Sequence, residues 1–406
     1  MALLAALIGA NLAPVFIDGA ATAYAADTVK PELGKILNAA QAEMKSNPKA
    51  ALSKLHEADA IGGKTAYESY LVEATRASAA QMAGDNATAA KSYEAVINSG
   101  HVSGAAQSKM VLALGQIYFR AGEYTKSIVW LQRYQSESGD ASQRPYLIQA
   151  YYFSGKIAEA YKETKADIQA EEKAGRAPTT DQLELYLNCA QKLNDKAEYL
   201  AALEKYAAYR PSKEIWVSLL SRLENKSGFS NSRLHLDLLR LGAQVGSLSK
   251  SSDYMEYVEL ALDANFPSEG KKATDAAYKA GIFGTGNDAA RQKRLQDLVN
   301  TKVANDAKRA ADAEAEAAKN NDNDLLLNTG FDYVTSGQAD KGLSLMEKAI
   351  AGGNLKHPDD AKLHLGIAYA LAGKKSKALS TLKSVGGTDG TADLARYWIT
   401  AVNHPL

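Results

Sequence analysis

The chain has 406 residues, of which 46% are apolar, and its 47 basic side chains balance its 47 acidic ones. This apolar content is sufficient for a continuous core, and nine prolines with 8% aromatic residues argue against disorder. Zero net charge provides no global field that would attract nucleic acid or an anionic membrane. The single cysteine, Cys189, excludes an intramolecular disulfide, and its position within a leucine pattern predicts a buried, unreactive thiol.

Residues 1–26 have the pattern of an export signal. An apolar run over residues 3–17 is followed by small residues, and the Ala-Tyr-Ala at 23–25 fits a signal-peptidase site. The run is shorter than the roughly 20 residues that span a bilayer. No Lys or Arg precedes it, which leaves open an amphipathic first helix packed on the rest of the chain. The favoured prediction is a signal peptide, a periplasmic protein and no stable membrane insertion.

A short phrase recurs along the chain: a small residue, an aromatic three positions later, a glycine four further on, and a second small residue. Its four occurrences are Gly115/Tyr118/Gly122/Ser127, Tyr151/Gly155/Ala160, Gly330/Tyr333/Gly337/Gly342 and Gly366/Tyr369/Gly373/Ala378. The turn glycines at 122 and 155 lie 33 residues apart, and those at 337 and 373 lie 36 apart. Such a period predicts stacked helical hairpins, each too small to bury its own apolar face.

These repeats resemble tetratricopeptide repeats, whose unit of about 34 residues contains two antiparallel helices. The resemblance is strong over 105–175 and 323–390 and weak elsewhere. It implies an all-α fold, a right-handed α-solenoid of antiparallel helix pairs. In the clearest unit, Gly115 and Ser127 would allow the two helices to approach closely. Tyr118 and Leu131 would fill the seam between them, and Gly122 would make the turn.

The repeats divide the chain into predicted segments. After the signal peptide, residues 27–211 are expected to form a solenoid and 212–287 divergent helical repeats. Residues 288–320 are expected to form one long charged helix, capped by Asp288, that links the N- and C-terminal stacks. After Val303 the apolar residues of this predicted helix are all alanines. Residues 321–406 are expected to form a C-terminal repeat pair with a capping helix.

The resemblance also implies a binding surface, because the first helix of each pair lines the concave groove. The residues that the resemblance places on this surface are Lys109, Gln116, Phe119, Arg120, Gln149, Tyr152 and Asn188. Mixed aromatic, amide and cationic side chains suit an extended peptide or a helix of a protein partner. The alternative is that these side chains cover a wet face or pack against the chain itself. The family's clamp for C-terminal carboxylates is absent, since Ala74, Leu112 and Pro145 occupy one of its positions.

No residue pattern predicts catalysis, a cofactor or a metal site. His357 and His364 flank Asp359 and Asp360, which are better explained as the N-terminus of a helix. The glycine-rich segment 281–286 lacks the spacing of a phosphate-binding loop and is expected to end a helix.

The predicted function is therefore a non-enzymatic periplasmic scaffold or adaptor that binds protein partners, in envelope assembly or secretion. Two alternatives remain open. One is a structural subunit of a larger assembly that uses its convex faces. The other is a solenoid that binds small molecules or glycans by stacking them on tyrosines, for which the candidates are Tyr146, Tyr151, Tyr152 and Tyr161. Of these, Tyr151 and Tyr161 are better explained as residues of the seam and the core.

Overall fold

The structure is a computed structural model that describes residues 29–405, so the predicted signal peptide lies outside the described residues. Within this range the chain forms 20 α-helices and no β-strand. Short turns join successive helices, which therefore pair antiparallel, and the predicted all-α solenoid is confirmed. The chain divides between Asn194 and Asp195 into two compact units.

The first unit consists of hairpins that pack on their neighbours in sequence. Its helices are α1 (Pro31–Glu43), α2 (Pro48–Asp59), α3 (Ala66–Ala83), α4 (Asn86–Asn98), α5 (Gly104–Arg120), α6 (Tyr124–Ser138), α7 (Arg144–Phe153), α8 (Ile157–Lys173) and α9 (Thr180–Leu193). The turn residues Gly122 and Gly155 have φ of 75° and 82°, a region that only glycine enters without a steric cost. Asn194 at φ 55° ends α9 in the same way.

The seam between α5 and α6 has the predicted construction. A Cβ atom on Gly115 would lie 2.9 Å from Leu131 Cδ2, and the Ser127 hydroxyl donates to the Gly115 carbonyl at 2.8 Å. The Tyr118 hydroxyl donates to Glu94 of α4 at 2.6 Å, which ties this pair to the preceding one. Small residues thus bring the two helices into contact, and the tyrosine connects successive pairs.

The second unit begins with helices that lack the repeat phrase and ends with helices that carry it. Its helices are α10 (Lys196–Tyr209), α11 (Lys213–Glu224), α12 (Asn231–Gln244), α13 (Ser251–Asp263), α14 (Pro267–Lys279), α15 (Ala289–Asn320), α16 (Asn323–Thr335), α17 (Ala339–Gly352), α18 (Pro358–Leu371), α19 (Lys375–Leu382) and α20 (Thr391–Asn403). A Cβ atom on Gly342 of α17 would overlap the Gly330 carbonyl oxygen of α16. The two helices therefore touch through their backbones.

The long helix α15 belongs to the second unit, where it joins α14 to α16 and also contacts α13. Its buried face begins with Leu295 and Val299 and continues with Ala310 and Ala317. Asp288 occupies the predicted N-cap position, but its side chain makes no capping hydrogen bond. Its backbone already has near-helical angles, φ −89° and ψ −2°, instead of the extended geometry that capping uses.

The last helix, α20, packs on α18 and α19 and also contacts α10 and α12. Its residues Leu394, Tyr397 and Trp398 are buried. Residues 195–405 consequently form one compact unit, and the observed division at 194/195 does not coincide with the segment limits drawn at 211, 287 and 320.

Candidate functional site

Five aromatic rings cluster in the first unit, at the C-terminal end of α5, the N-terminus of α6 and both ends of α7. We call this cluster the aromatic patch; its members are Phe119, Tyr124, Tyr146, Tyr152 and Phe153. The Phe119 ring meets Tyr124 and Tyr146 edge-on, each with centroids 5.5 Å apart. Phe153 stacks on Tyr124 at 5.1 Å and meets Tyr152 edge-on at 5.7 Å. These are favourable ring geometries, so the patch is a preorganised surface.

The patch has a buried base and an exposed top. Phe119 is 8% exposed, whereas Phe153 is 42% exposed and is one of the few large apolar side chains open to solvent among residues 29–405. Tyr124, Tyr146 and Tyr152 are half-buried. An exposed ring held by several others offers apolar contact area at a low cost in side-chain entropy.

Two cations border the aromatic patch. Lys192 of α9 lies over the Tyr152 ring, with Nζ 4.3 Å from the ring centroid, a distance typical of cation–π contacts. Arg120 ends α5 next to Phe119 and is exposed at its tip. Partial desolvation lowers the pKa of the Arg120 guanidinium, and no carboxylate among residues 29–405 pairs with it. Both cations also lie in the last turn of a helix, where they complement the helix dipole.

The residues predicted from sequence differ in their exposure. Lys109 and Arg120 are exposed, and Gln149, Tyr152 and Asn188 are half-buried. The structure brings Phe119 and Tyr152 together, since both contact Phe153.

Gln116 is the predicted residue least available to a partner. It is 8% exposed, and its Nε2 donates to Gln143 Oε1 at 2.9 Å. Its own Oε1 is buried without a hydrogen-bond partner. At this position the chain contacts itself, as the alternative interpretation of the groove anticipated.

Tyr124 was missed by the sequence reasoning, which considered only the first helix of each pair. Tyr124 begins the second helix of its pair, two residues after the turn glycine Gly122, and this proximity to the turn was the available signal.

Two of the candidate sugar-stacking tyrosines, Tyr151 and Tyr161, are buried structural residues, as the sequence indicated. The Tyr151 hydroxyl accepts from Gln132 at 2.7 Å, and Tyr161 stacks on Tyr186 at 4.9 Å.

The other candidate chemical groups have structural roles. Cys189 is fully buried, and burial raises the pKa of its thiol to about 12, so the prediction of an unreactive thiol is confirmed. His364 Nε2 lies 3.0 Å from Asp237 Oδ2, and His357 precedes α18. Segment 281–286 follows the end of α14, as predicted, and the side chain of Phe283 within it is buried.

Residues 29–405 contain neither a cluster of metal-binding side chains nor a membrane-spanning helix. No group of three or more His, Cys, Asp or Glu side chains in this range is arranged to hold a metal ion. No helix of the described residues is long and apolar enough to cross a membrane.

Comparison with known proteins identifies no family. No protein-family model matches the chain. No curated protein matches it either. Among solved structures, the crystal structure of yeast Tom70 matches with 11% sequence identity and a TM-score of 0.25, over 91% of this chain and 95% of that chain. The description of the fold therefore rests on the helix pairing given above.

Proposed function

We propose that this protein is a non-enzymatic scaffold that binds a peptide or a helix of a protein partner on the aromatic patch. The observation that carries the proposal is Phe153, an exposed ring that contacts three other rings of the patch. Arg120, a cation that has no carboxylate partner in the described residues, borders the patch. A few residues dominate the binding energy of a protein interface, and tyrosine, tryptophan and arginine are enriched among them.

The rigidity of the first unit favours this function. The patch is built at the ends of α5 and α7, whose positions are fixed by close helix contacts and by turns that only glycine accommodates freely. A partner therefore meets rings that are already ordered, and little conformational entropy is lost on binding. Stacked helical hairpins offer such surfaces along one face of the stack.

The proposal includes the cellular location of the protein. The export-like pattern of residues 1–26 favours a periplasmic scaffold that serves envelope assembly or secretion. Cell fractionation and N-terminal sequencing of the purified protein test this part. A periplasmic protein that begins near Asp27 supports export, and a mature chain that retains Met1 contradicts it.

The binding proposal is tested by capture of partners from a periplasmic extract, followed by measurement of the affinity of each identified complex. Arg120→Ala, Tyr152→Ala and Phe153→Ser should each weaken a complex about tenfold or more, because loss of an anchor costs about 1–2 kcal/mol. Val129→Ser is the matched control, since Val129 is 57% exposed and lies on α6 outside the patch.

Two outcomes would contradict the proposal. One is that Val129→Ser weakens binding as strongly as the patch variants, which would favour a structural subunit that uses its other faces. The other is that the patch variants lose helicity while each folded molecule binds as before, which would identify the patch as a self-contact.

A further inference from the structure

The second unit contains a cavity of about 220 Å³ that is separate from the aromatic patch. Side chains from α12, α13, α14, α16, α18 and α20 line it. The cavity exists because α20 returns to pack on both α18 and α12. A concave surface with contributions from six helices has the form of a small-molecule site, and its volume is below the roughly 300 Å³ of sites for drug-sized ligands.

One side of the cavity is apolar. Ile367 and Trp398 form it and are almost completely buried, with Ala273 beside them. Leu371 lies at the edge, where it is 49% exposed. This side would receive an aliphatic or aromatic group and shield it from water.

On the polar side, the acceptor atoms already have donors. Glu269 Oε1 accepts from Arg240 Nε at 2.7 Å and from the Tyr257 hydroxyl at 2.8 Å. Its Oε2 accepts from the Arg240 guanidinium at 2.9 Å. Arg240 also donates to Asp237 at 2.7 Å. This buried cluster is consequently satisfied within itself and offers little to a cationic ligand.

Donors, by contrast, are in excess. Lys272 is an exposed residue that lines the cavity, and its ammonium makes one hydrogen bond, to the Thr335 carbonyl oxygen at 2.7 Å. It forms no ion pair in the described residues, so two of its three donors remain for water or for a ligand. The Trp398 Nε1 donor also has no acceptor in the described residues, but it is inaccessible to solvent and therefore not available to a ligand in the cavity. The cavity thus combines an apolar side with the spare donors of one ammonium that has no ion-pair partner in the described residues.

We propose that this cavity binds a small apolar monocarboxylate, with its hydrocarbon part against Ile367 and Trp398 and its carboxylate at Lys272. The ion pair with Lys272 would favour an anionic ligand over a neutral one, and the apolar side would contact the ligand's hydrocarbon part. Nothing in this proposal depends on the aromatic patch.

Phenylacetate is a suitable probe, and calorimetric titration of the full chain is the measurement. Phenylacetate should bind saturably, and phenylacetamide, its neutral counterpart, should bind at least tenfold more weakly. Lys272→Met should reduce phenylacetate affinity at least tenfold. Lys271→Met is the matched control and should leave it unchanged, because Lys271 is paired with Asp275 at 2.7 Å and does not line the cavity.

Ala276→Phe provides a second test that does not depend on charge. Ala276 lines the cavity at an exposed position of α14, so a phenyl group there should obstruct the cavity without entering the core. Loss of phenylacetate binding at an unchanged melting temperature supports the proposal, and Tyr152→Ala in the first unit should bind phenylacetate normally. The absence of saturable phenylacetate binding to the unmodified chain would overturn the site. Equal affinities for acid and amide, or for Lys272→Met and the unmodified chain, would overturn the ligand class.

Discussion

The first unit packs each helix on near neighbours in sequence, whereas the second unit brings its last helix back to its first ones. In residues 29–194 the packed pairs are adjacent or next-but-one helices, such as α5 with α6 and α7. In residues 195–405, α20 contacts α10 and α12, and the Arg396 guanidinium pairs with Glu204 at 2.8 Å across 192 residues of chain. The first unit is therefore nearly one-dimensional, and the second is closed on itself.

The second unit also contains a buried cluster of charged side chains. The second unit buries the cluster of Asp237, Arg240 and Glu269, and Asp237 in turn contacts His364 of α18. Closing a long loop costs conformational entropy, which contacts between distant helices must offset. We expect the second unit to unfold cooperatively and the first to open hairpin by hairpin from its ends. Trp130 reports on the first unit, and Trp216 and Trp398 report on the second.

The largest effect is expected from Arg240→Met. The substitution leaves the carboxylates of Asp237 and Glu269 buried without their shared cation, and breaking a buried ion pair in this way costs about 3–5 kcal/mol. Chemical denaturation followed by tryptophan fluorescence should show the loss in the second unit, with the Trp130 transition unchanged.

The matched control for this variant is Arg291→Met, which removes an exposed ion pair with Glu259 of the same unit. Surface pairs contribute about 0–1 kcal/mol, so its unfolding free energy should change little. If both arginine variants lose the same stability, the buried cluster does not distinguish the second unit.

The next largest effect concerns the repeat seams. A Cβ atom on Gly342 would overlap the Gly330 carbonyl and lie 2.8 Å from the Val334 amide nitrogen, so Gly342→Ala must displace backbone. The expected loss is about 3 kcal/mol, the upper end of the usual range for overpacking. Gly34→Ala is the control, since nothing lies within 4 Å of its added Cβ. That variant should be neutral or gain up to about 1 kcal/mol of helix propensity.

Substitution at the seam of the first unit should cost no more unfolding free energy than Gly342→Ala. In Gly115→Leu the new side chain meets Leu131, whose side chain can adjust in part, so the expected loss is about 1–3 kcal/mol and confined to the Trp130 transition. Ala378→Leu, at the position of the last repeat that matches Ser127, should affect only the second unit. Unchanged unfolding of both variants would show that these small residues do not determine the seam.

A pH dependence should also distinguish the second unit. Burial, together with the nearby Asp306 carboxylate, raises the pKa of Asp332 to about 7 despite the Arg309 guanidinium beside it. The folded state then retains a proton that the unfolded state loses near pH 4. Stability contributed by this group is therefore complete at low pH and falls as pH rises towards 7.

Asp332→Asn isolates this contribution, because it keeps the shape without the charge. Between pH 5 and 7 the unmodified second unit should lose on the order of 2 kcal/mol relative to Asp332→Asn, at about 1.4 kcal/mol per pH unit before the titration flattens. Denaturation midpoints of the two proteins at several pH values provide the measurement. Parallel pH profiles would mean that Asp332 titrates normally.

The smallest effect is expected from Tyr152→Ala. Tyr152 is half-buried at the edge of the aromatic patch, so its removal should change the unfolding free energy by no more than about 0.5 kcal/mol, as is usual at surface positions. Phe119→Ala, at the buried base of the patch, should cost about 3 kcal/mol or more in the Trp130 transition. If Tyr152→Ala and Phe119→Ala lose the same unfolding free energy, the edge of the patch belongs to the hydrophobic core as much as its base does.

Sequence alone determined the local architecture. Glycines at 122, 155, 337 and 373 have positive φ in the structure, and small residues such as Gly115 and Ser127 form the close seams. These features could be predicted because a tight turn and a close helix contact each depend on the residues within one repeat. For the candidate site, the same periodicity placed Phe119 and Tyr152 on one face but did not show that Gln116 is buried or that Tyr124 joins them.

Only the tertiary structure decided the rest. The return of α20 to α10 and α12, the cluster around Arg240 and the cavity beside it join residues separated by more than a hundred positions, such as Asp237 and His364. No local propensity encodes such pairings. They depend on the angle added at each successive helix pair and on which buried charges find partners when distant helices meet.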